Sequence, residues 1–307
     1  DETGQAGIGE AAPFPEFGSE TFDEVNNFLE NFKLNLKIDL NNIYKSFDDN
    51  LGSLNKLPAL RHGIEQALLN LICSENKTSM NNLLNVTSIK EINVNAVIGF
   101  LSIEDIPKKI NELIEQGFST IKMKVGRDNF EEDIESISLV RKSVNTNIKL
   151  RIDANGKWTL NNAKRNLKKL EKFNIEYVEQ PVKNINDFIE LSKIISIPLA
   201  ADESLRTFND AVNIIKSKAA HVLVIKPMML GGIITVIKII ELAKMNNLKI
   251  TITSSFESGI GKSMAVFAAS IIEDETAHGL ATSDFFENYI SNDPYPVTHG
   301  KIILSKN

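Results

Sequence analysis

The sequence predicts an α/β protein, a (β/α)7β TIM-like barrel with an N-terminal α+β capping domain, and three observations predict it. From Asn93 onward, short apolar stretches recur at a spacing of roughly 25 residues, the length of one strand-and-helix unit. Each stretch is followed by an amphipathic helical pattern, and seven or eight such units in series favour a closed barrel over an open doubly wound sheet. The first ninety or so residues follow a different pattern, with Gly- and Pro-rich turns and few strands.

The cap comes first. Gly7–Pro15 (GIGEAAPFP) reads as strand and turn. Asp1–Gly9 reads as the middle of a hairpin, so an upstream segment is expected before Asp1. Two helical patterns follow: Ser19–Asn31, with Thr21 as a cap and Phe22, Val25, Phe28 and Leu29 as its apolar face, and Leu57–Cys73. The barrel strands are expected at Asn93–Gly99, Thr120–Val125, Ile148–Ala154, Tyr177–Pro181, Pro198–Glu203, His221–Pro227 and Lys249–Ser255, with a weak eighth around Leu280–Ser283. The intervening helices are Ile106–Gln116, Asp133–Ser143, Leu160–Phe173, Phe188–Ile195, Phe208–Lys216, Gly232–Met245 and Lys262–Ile271. Ile302–Leu304 is expected to return as a strand to the cap. The chain thus divides into residues 1–92 (with 286–307 returning to them) and a barrel of residues 93–285.

Composition removes several classes of function. A hydrophobic content of 42% supports a sizeable core. A net charge of −6, with no basic block interleaved with aromatics, argues against a nucleic-acid partner. No apolar run approaches the roughly 18 residues needed to cross a bilayer, so no membrane partner is expected. The single cysteine, Cys73, suits a reducing cytoplasm and excludes an internal disulfide. No Gly-x-Gly-x-x-Gly follows the first strand, which disfavours dinucleotide binding. Nothing in the pattern specifies an oligomer.

The chemistry is expected at the C-terminal strand ends, where the loops of a barrel converge on one mouth. Side chains two apart on a strand share a face. Lys122 and Lys124 therefore point together into the barrel from an otherwise apolar strand, as do Arg151 and Asp153. Asp202 and Lys226 close their strands. Charges there are costly unless paired or metal-bound. Asp153, Glu179 and Asp202, at equivalent positions on three consecutive strands, form an oxygen-rich set of the kind a hard cation such as Mg2+ chooses, with Mn2+ as an alternative occupant. A second ammonium and a nearby cation disfavour protonation, so one of Lys122 and Lys124 is suited to be a general base. Lys226 faces it from the far side of the carboxylate strands.

Weaker features keep two readings each. Ser254, Ser255 and Gly259 lie in a loop (SSFESGIG) that either offers hydroxyls and N–H groups to an anion or is an ordinary turn. Arg151 contacts either a substrate carboxylate or a carboxylate of the barrel. Asn155 is a substrate contact or a loop cap. Phe14, Phe17 and Trp158 are core or lid. His62, His221, His278 and His299 have no metal-like spacing.

In this order, Lys122-Met-Lys124, Asp153-Ala-Asn155, Val178-Glu179-Gln180-Pro181, Ala201-Asp202-Glu203-Ser204 and Lys226-Pro227 resemble the enolase superfamily in its muconate-lactonizing-like branch. Within the branch, GIGEAAPFPEFGSETFDE, NVNAVIG, SSFESGIG and HGLATSDFFEN are most similar to the o-succinylbenzoate synthase family. The resemblance implies loops of the cap closing over the barrel mouth and a small-molecule carboxylate substrate. The reaction it implies is the Mg2+-dependent syn dehydration of 2-succinyl-6-hydroxy-2,4-cyclohexadiene-1-carboxylate to o-succinylbenzoate in menaquinone biosynthesis. It further implies that Lys124 removes the α proton, that Lys226 supplies positive charge, and that Lys122 lowers the pKa of Lys124. The alternatives are an N-acylamino acid racemase or dipeptide epimerase on the same scaffold, and a non-catalytic ligand-binding barrel. The Asp-x-Asp usual in dipeptide epimerases is replaced here by Ser283-Asp284-Phe285.

Overall fold

The computed structural model describes residues 4–32, 36–144, 146–286 and 293–304. Four helices lead, α1 (Phe22–Asn31), α2 (Ile43–Leu51), α3 (Pro58–Glu75) and α4 (Met80–Leu84), followed by a short strand β1 (Glu91–Asn93). The repeating part then runs β2 (Ala96–Ile98), α5 (Ile106–Glu115), β3 (Thr120–Lys124), α6 (Phe130–Ser143), β4 (Lys149–Asp153), α7 (Leu160–Leu170) and β5 (Ile175–Glu179). It continues with α8 (Ile185–Leu191), β6 (Leu199–Ala201), α9 (Phe208–Ser217), β7 (Val222–Ile225), α10 (Ile233–Met245), β8 (Lys249–Ile252) and α11 (Gly259–Ser270). A last strand, β9 (Lys301–Ile303), follows.

Local chemistry sets the boundaries. Thr21 and Glu24 form a reciprocal capping box at the start of α1, with Thr21 N–H donating to the Glu24 carboxylate at 2.7 Å. Thr207 and Asp210 do the same for α9. Thr159 caps α7 through the Asn162 N–H, and Pro107 sits in the first turn of α5, where its missing N–H has no partner to lose.

Strands β2 to β8 form one parallel sheet in chain order. The sheet closes on itself through two residues that follow α11. His278 pairs with Val94, just ahead of β2, and Gly279 pairs with Thr253, just beyond β8. The His278 N–H donates to the Asn93 carbonyl and the Gly279 N–H to the Ile252 carbonyl, both at 2.8 Å. This is the (β/α)7β barrel expected, but its eighth strand is two residues long and lies ahead of Leu280–Ser283. The expected first strand, Asn93–Gly99, is split in two. Its start pairs antiparallel with β9 (Asn93 opposite Lys301), and the chain changes partner at Val94 and Asn95, whose N–H groups donate to Gly300 and His278. The strand expected at Ile302–Leu304 is thereby present. Positions 287–292 and 305–307 of that returning stretch lie outside the described residues. Helices α2 and α4 add to the two read from the cap sequence.

The N-terminal segment reaches the barrel mouth over α3. A Cβ on Gly9 would stand 1.9 Å from the Gly63 carbonyl oxygen, so the two backbones are in contact only because neither carries a side chain. Beyond it, Glu10 accepts hydrogen bonds from the N–H groups of Ser258 and Gly261, both at 2.7 Å, at the start of α11. Gly9→Ala is therefore expected to lower stability by about 1–3 kcal/mol, as overpacking against a backbone does. Gly52→Ala, where no atom lies within 4 Å of the added Cβ, should change it by less than about 1 kcal/mol. Urea midpoints of the two variants check this, and equal midpoints would show that the segment yields freely.

Candidate active site

The register of three neighbouring strands builds the site. Lys124 stands beside Asp153 and Asp153 beside Glu179, and one layer deeper Lys122, Arg151 and Tyr177 are neighbours in the same way. Beyond Glu179 the strand end turns sharply, with Gln180 at φ 38° in the left-handed region. Gln180 uses this turn to hold the next loop. Its Nε2 donates to Ser204 Oγ at 2.7 Å and to the Val182 carbonyl at 2.9 Å, while its Oε1 accepts from the N–H groups of Asp202 and Ser204. The position of Asp202 is thus set by a buried amide on the preceding strand.

Six charged side chains meet there. Lys122 Nζ lies 2.5 Å from Glu179 Oε1 and 2.9 Å from Asp153 Oδ2. Lys124 Nζ lies 2.8 Å from the same Asp153 oxygen and 2.7 Å from Asn155 Oδ1. Lys226 pairs with Asp202 from β7, on the other side of the carboxylate-bearing strands, and its ammonium stands 5.2 Å above the Phe17 ring. Asp153 and Glu179 are each 1% exposed. Burial disfavours the Asp153 carboxylate, but the Lys122 and Lys124 ammoniums outweigh it and hold its pKa below the ordinary range. Burial, reinforced by the neighbouring Asp153, pushes Glu179 up to about 8. For Lys122, burial works against the charge, yet Asp153 and Glu179 prevail and raise it well above an ordinary lysine. In this cluster, then, carboxylates rather than the neighbouring ammonium govern Lys122.

These groups open into a cavity of about 670 Å3, which Asn155 and Ser254 also line. Phe17 and Phe256 roof it, and Phe285 lies against Phe256 with ring centroids 6.0 Å apart. Phe256 sits at φ 63°, a conformation a bulky residue rarely holds unless its surroundings require it. The sequence leaves Phe17 as core or lid and assigns no role to Phe256, Phe285, Glu203 or Arg206, all of which line the cavity. For Glu203 the signal was present, since it follows Asp202 directly. Its Oε1 accepts from Asn155 Nδ2 at 2.9 Å.

Three of the weaker candidates lie outside the cavity lining, which favours the second of their two readings. Arg151 does not line the cavity. It shares a layer with Lys122 and Tyr177, but its side chain is 1% exposed and is drawn to Glu176, with which it pairs at 2.6 Å while stacking on Tyr177. It faces a second cavity of about 190 Å3 at the other end of the barrel. Ser255 is buried outside the lining, whereas its neighbour Ser254 bonds Thr282 Oγ1 through its Oγ at 2.7 Å inside the cavity. Gly259 opens α11 outside the lining. The four histidines lie outside the cavity lining.

Asp153, Glu179 and Asp202 offer only oxygen donors, the set a hard divalent cation takes. Glu179 Oε2 is buried without a hydrogen-bond partner among the described residues, which marks an unmet acceptor in the cluster. As placed, no three acidic, His or Cys side chains among the described residues surround one metal position, because each of these carboxylates is turned on to an ammonium. The donor chemistry fits the cation, and the ion pairs would have to part for it.

Fold and cluster together define a (β/α)7β-barrel protein with acid–base groups facing each other across a set of strand-end carboxylates. Residues 105–307 match the enolase C-terminal domain-like family, and the chain belongs to the enolase superfamily. An o-succinylbenzoate synthase of Thermobifida fusca is 31% identical over 67% of this chain, which spans 64% of that relative's length. An L-amino acid-D/L-Glu epimerase of Francisella philomiragia is 30% identical over 81% of this chain and 70% of its own. A crystal structure of a dipeptide epimerase from Enterococcus faecalis, complexed with Mg and the dipeptide L-Leu-L-Tyr, superimposes with a TM-score of 0.87. It is 25% identical and the match covers 99% of this chain and 87% of that one. The chain is about equally similar to lyase and isomerase members of this superfamily. Among the described residues no helix is long and apolar enough to cross a membrane.

Proposed function

We propose that this chain is an o-succinylbenzoate synthase that dehydrates 2-succinyl-6-hydroxy-2,4-cyclohexadiene-1-carboxylate in the cytoplasm. The observation that carries the choice is the aromatic lining of the cavity. Phe17, Phe256 and Phe285 line the cavity that holds the lysine and carboxylate cluster, an aromatic wall suited to an unsaturated carbocyclic substrate. In the proposed division, residues 1–92 with 286–307 form the cap and residues 93–285 the barrel. The cap's part is to bring Phe17 over the mouth, with Glu10 on α11 as its tether.

Asp153, Glu179 and Asp202 would hold Mg2+ (or Mn2+), which when bound supplies charge to offset the negative charge that grows on the substrate carboxylate. The chain's own residues do the rest. Lys124, from β3, takes the α proton as the C–H bond breaks. The electron pair forms the new ring C=C bond as the C–O bond on the same face breaks, and Lys124 returns its proton to the departing hydroxyl as water. Lys226, from β7, presents its ammonium to the opposite face. Lys122, whose charge is firmly held, keeps the pocket positive beside Lys124. Asn155 steers Lys124 through its 2.7 Å contact. Aromatisation of the product supplies driving force.

A second reading is an N-acylamino acid racemase or dipeptide epimerase, favoured by the Francisella and Enterococcus relatives. There Lys124 and Lys226 would exchange protons with opposite faces of one carbon. Purified protein with Mg2+ and the cyclohexadiene should give the rising ultraviolet absorbance of the aromatic product. Exchange of the α proton of N-succinyl amino acids and of dipeptides in D2O, without any aromatic product, would move the chain to the isomerase reading.

A further inference from the structure

The substrate cavity contains one cation that no acid claims. Lys122, Lys124 and Lys226 are each ion-paired, whereas the Arg206 guanidinium, which lines the same cavity, has no hydrogen bond or ion pair among the described residues. The reason is local. Arg206 lies in the loop after β6, where the Leu205 N–H donates to the Asp202 carbonyl at 2.9 Å. The nearest following acid, Asp210, is committed to capping α9, accepting from the N–H groups of Arg206 and Thr207 and from Thr207 Oγ1. Glu203 is turned to Asn155, and Glu16 lines the cavity from an exposed position without bonding Arg206. The guanidinium lies instead along Gly18, in the turn after Phe17, where an added Cβ would stand 3.5 Å from its Nε. It is half-buried between the cap turn and the barrel loop, where Arg206 lines both the substrate cavity and a neighbouring cavity bounded by Gly18, a forked donor with no acceptor among the described residues.

We propose that Arg206 is a specificity-determining residue that takes a second carboxylate of the substrate, distant from the one beside the acidic carbon. The protein then selects dicarboxylates over otherwise identical monocarboxylates. The inference rests on the carboxylate-substrate reading of this site and holds for either of its two reactions. A fork that binds a carboxylate in bidentate fashion makes charge-assisted hydrogen bonds, which sets the expected preference at about 10- to 100-fold.

The test is calorimetric titration of the Mg2+-loaded protein with two ligand pairs. These are o-succinylbenzoate against 2-butanoylbenzoate, and N-succinylphenylglycine against N-butanoylphenylglycine, each pair differing only in the terminal carboxylate. Wild-type protein should prefer the dicarboxylate at least about tenfold in one pair or both. Arg206→Gln should bring that ratio to near one, and Arg206→Lys, which keeps the charge without the fork, should leave it between the two. Matching circular dichroism melts show that the variants fold. The inference is overturned if the wild type shows no preference in either pair, if none of the four ligands binds, or if Arg206→Gln keeps the ratio. An Arg206-dependent preference in a protein that fails to dehydrate the cyclohexadiene sinks the synthase reading and leaves this one standing.

Discussion

Lys124→Ala is expected to lower kcat/KM by about 10^2- to 10^4-fold, the usual contribution of a positioned acid–base group, with the larger end favoured because one amine both takes the proton and returns it. The fold should not suffer. The Lys124 side chain is 31% exposed, so its removal opens no buried cavity, and Asp153 keeps Lys122 at 2.9 Å as its counter-charge. Substitutions by arginine separate the two reactions. Lys124→Arg keeps the charge and loses the base, so it should be nearly as inactive as the alanine variant. Lys226→Arg should keep a measurable fraction of a dehydration that asks only for positive charge on that face. In an epimerase it should abolish turnover, because there Lys226 must itself carry a proton. Steady-state rates with the cyclohexadiene and a D2O exchange assay read the difference. Unchanged turnover in Lys124→Ala would end the mechanism proposed here.

The barrel was legible because its strands are buried on both faces and its helices on one, so apolar runs and 3.6-residue patterns alternate plainly from Asn93 to Ile271. Its closure was harder to read. The eighth strand is His278–Gly279, too short to carry a period, and its place is set by hydrogen bonds to Asn93 and Ile252, distant in sequence. Helix α2 lies in an Asn- and Asp-rich stretch that reads as loop, and it forms because Ile43, Phe47 and Leu51 are buried on one side of it. In the site, alternation gave the right face for Lys122, Lys124, Asp153 and Arg151, but alternation does not choose a side chain's partner. Arg151 shares its layer with Lys122, yet its side chain goes to Glu176 instead of the mouth. Ser255 is buried outside the lining, although the adjacent Ser254 lines it. Arg206 had no signal at all in one sequence, because its importance lies in what fails to pair with it.

Glu179→Gln should separate stability from function in opposite directions. The carboxylate is 1% exposed, its Oε2 has no hydrogen-bond partner among the described residues, and burial raises its pKa to about 8 from the ordinary 4.5. A raised carboxylate pKa means that the folded chain binds a proton the unfolded chain releases. Its contribution to stability is therefore greatest below about pH 4.5 and declines as pH rises toward about 8. In chelator, Glu179→Gln removes the group responsible for that decline. Lys122 retains Asp153, so the variant should melt roughly 2–6 °C above the wild type at pH 8, with a smaller gain at pH 5.5. Added Mg2+ should reverse the order. The wild type gains stability by mass action as the ion binds, while the variant, one charged ligand short, should need at least about 100-fold more Mg2+ for the same rise. Its activity should fall with that affinity. A variant that melts lower than the wild type in chelator would show Glu179 to be a structural partner of Lys122. One that binds Mg2+ as the wild type does would remove Glu179 from the metal site.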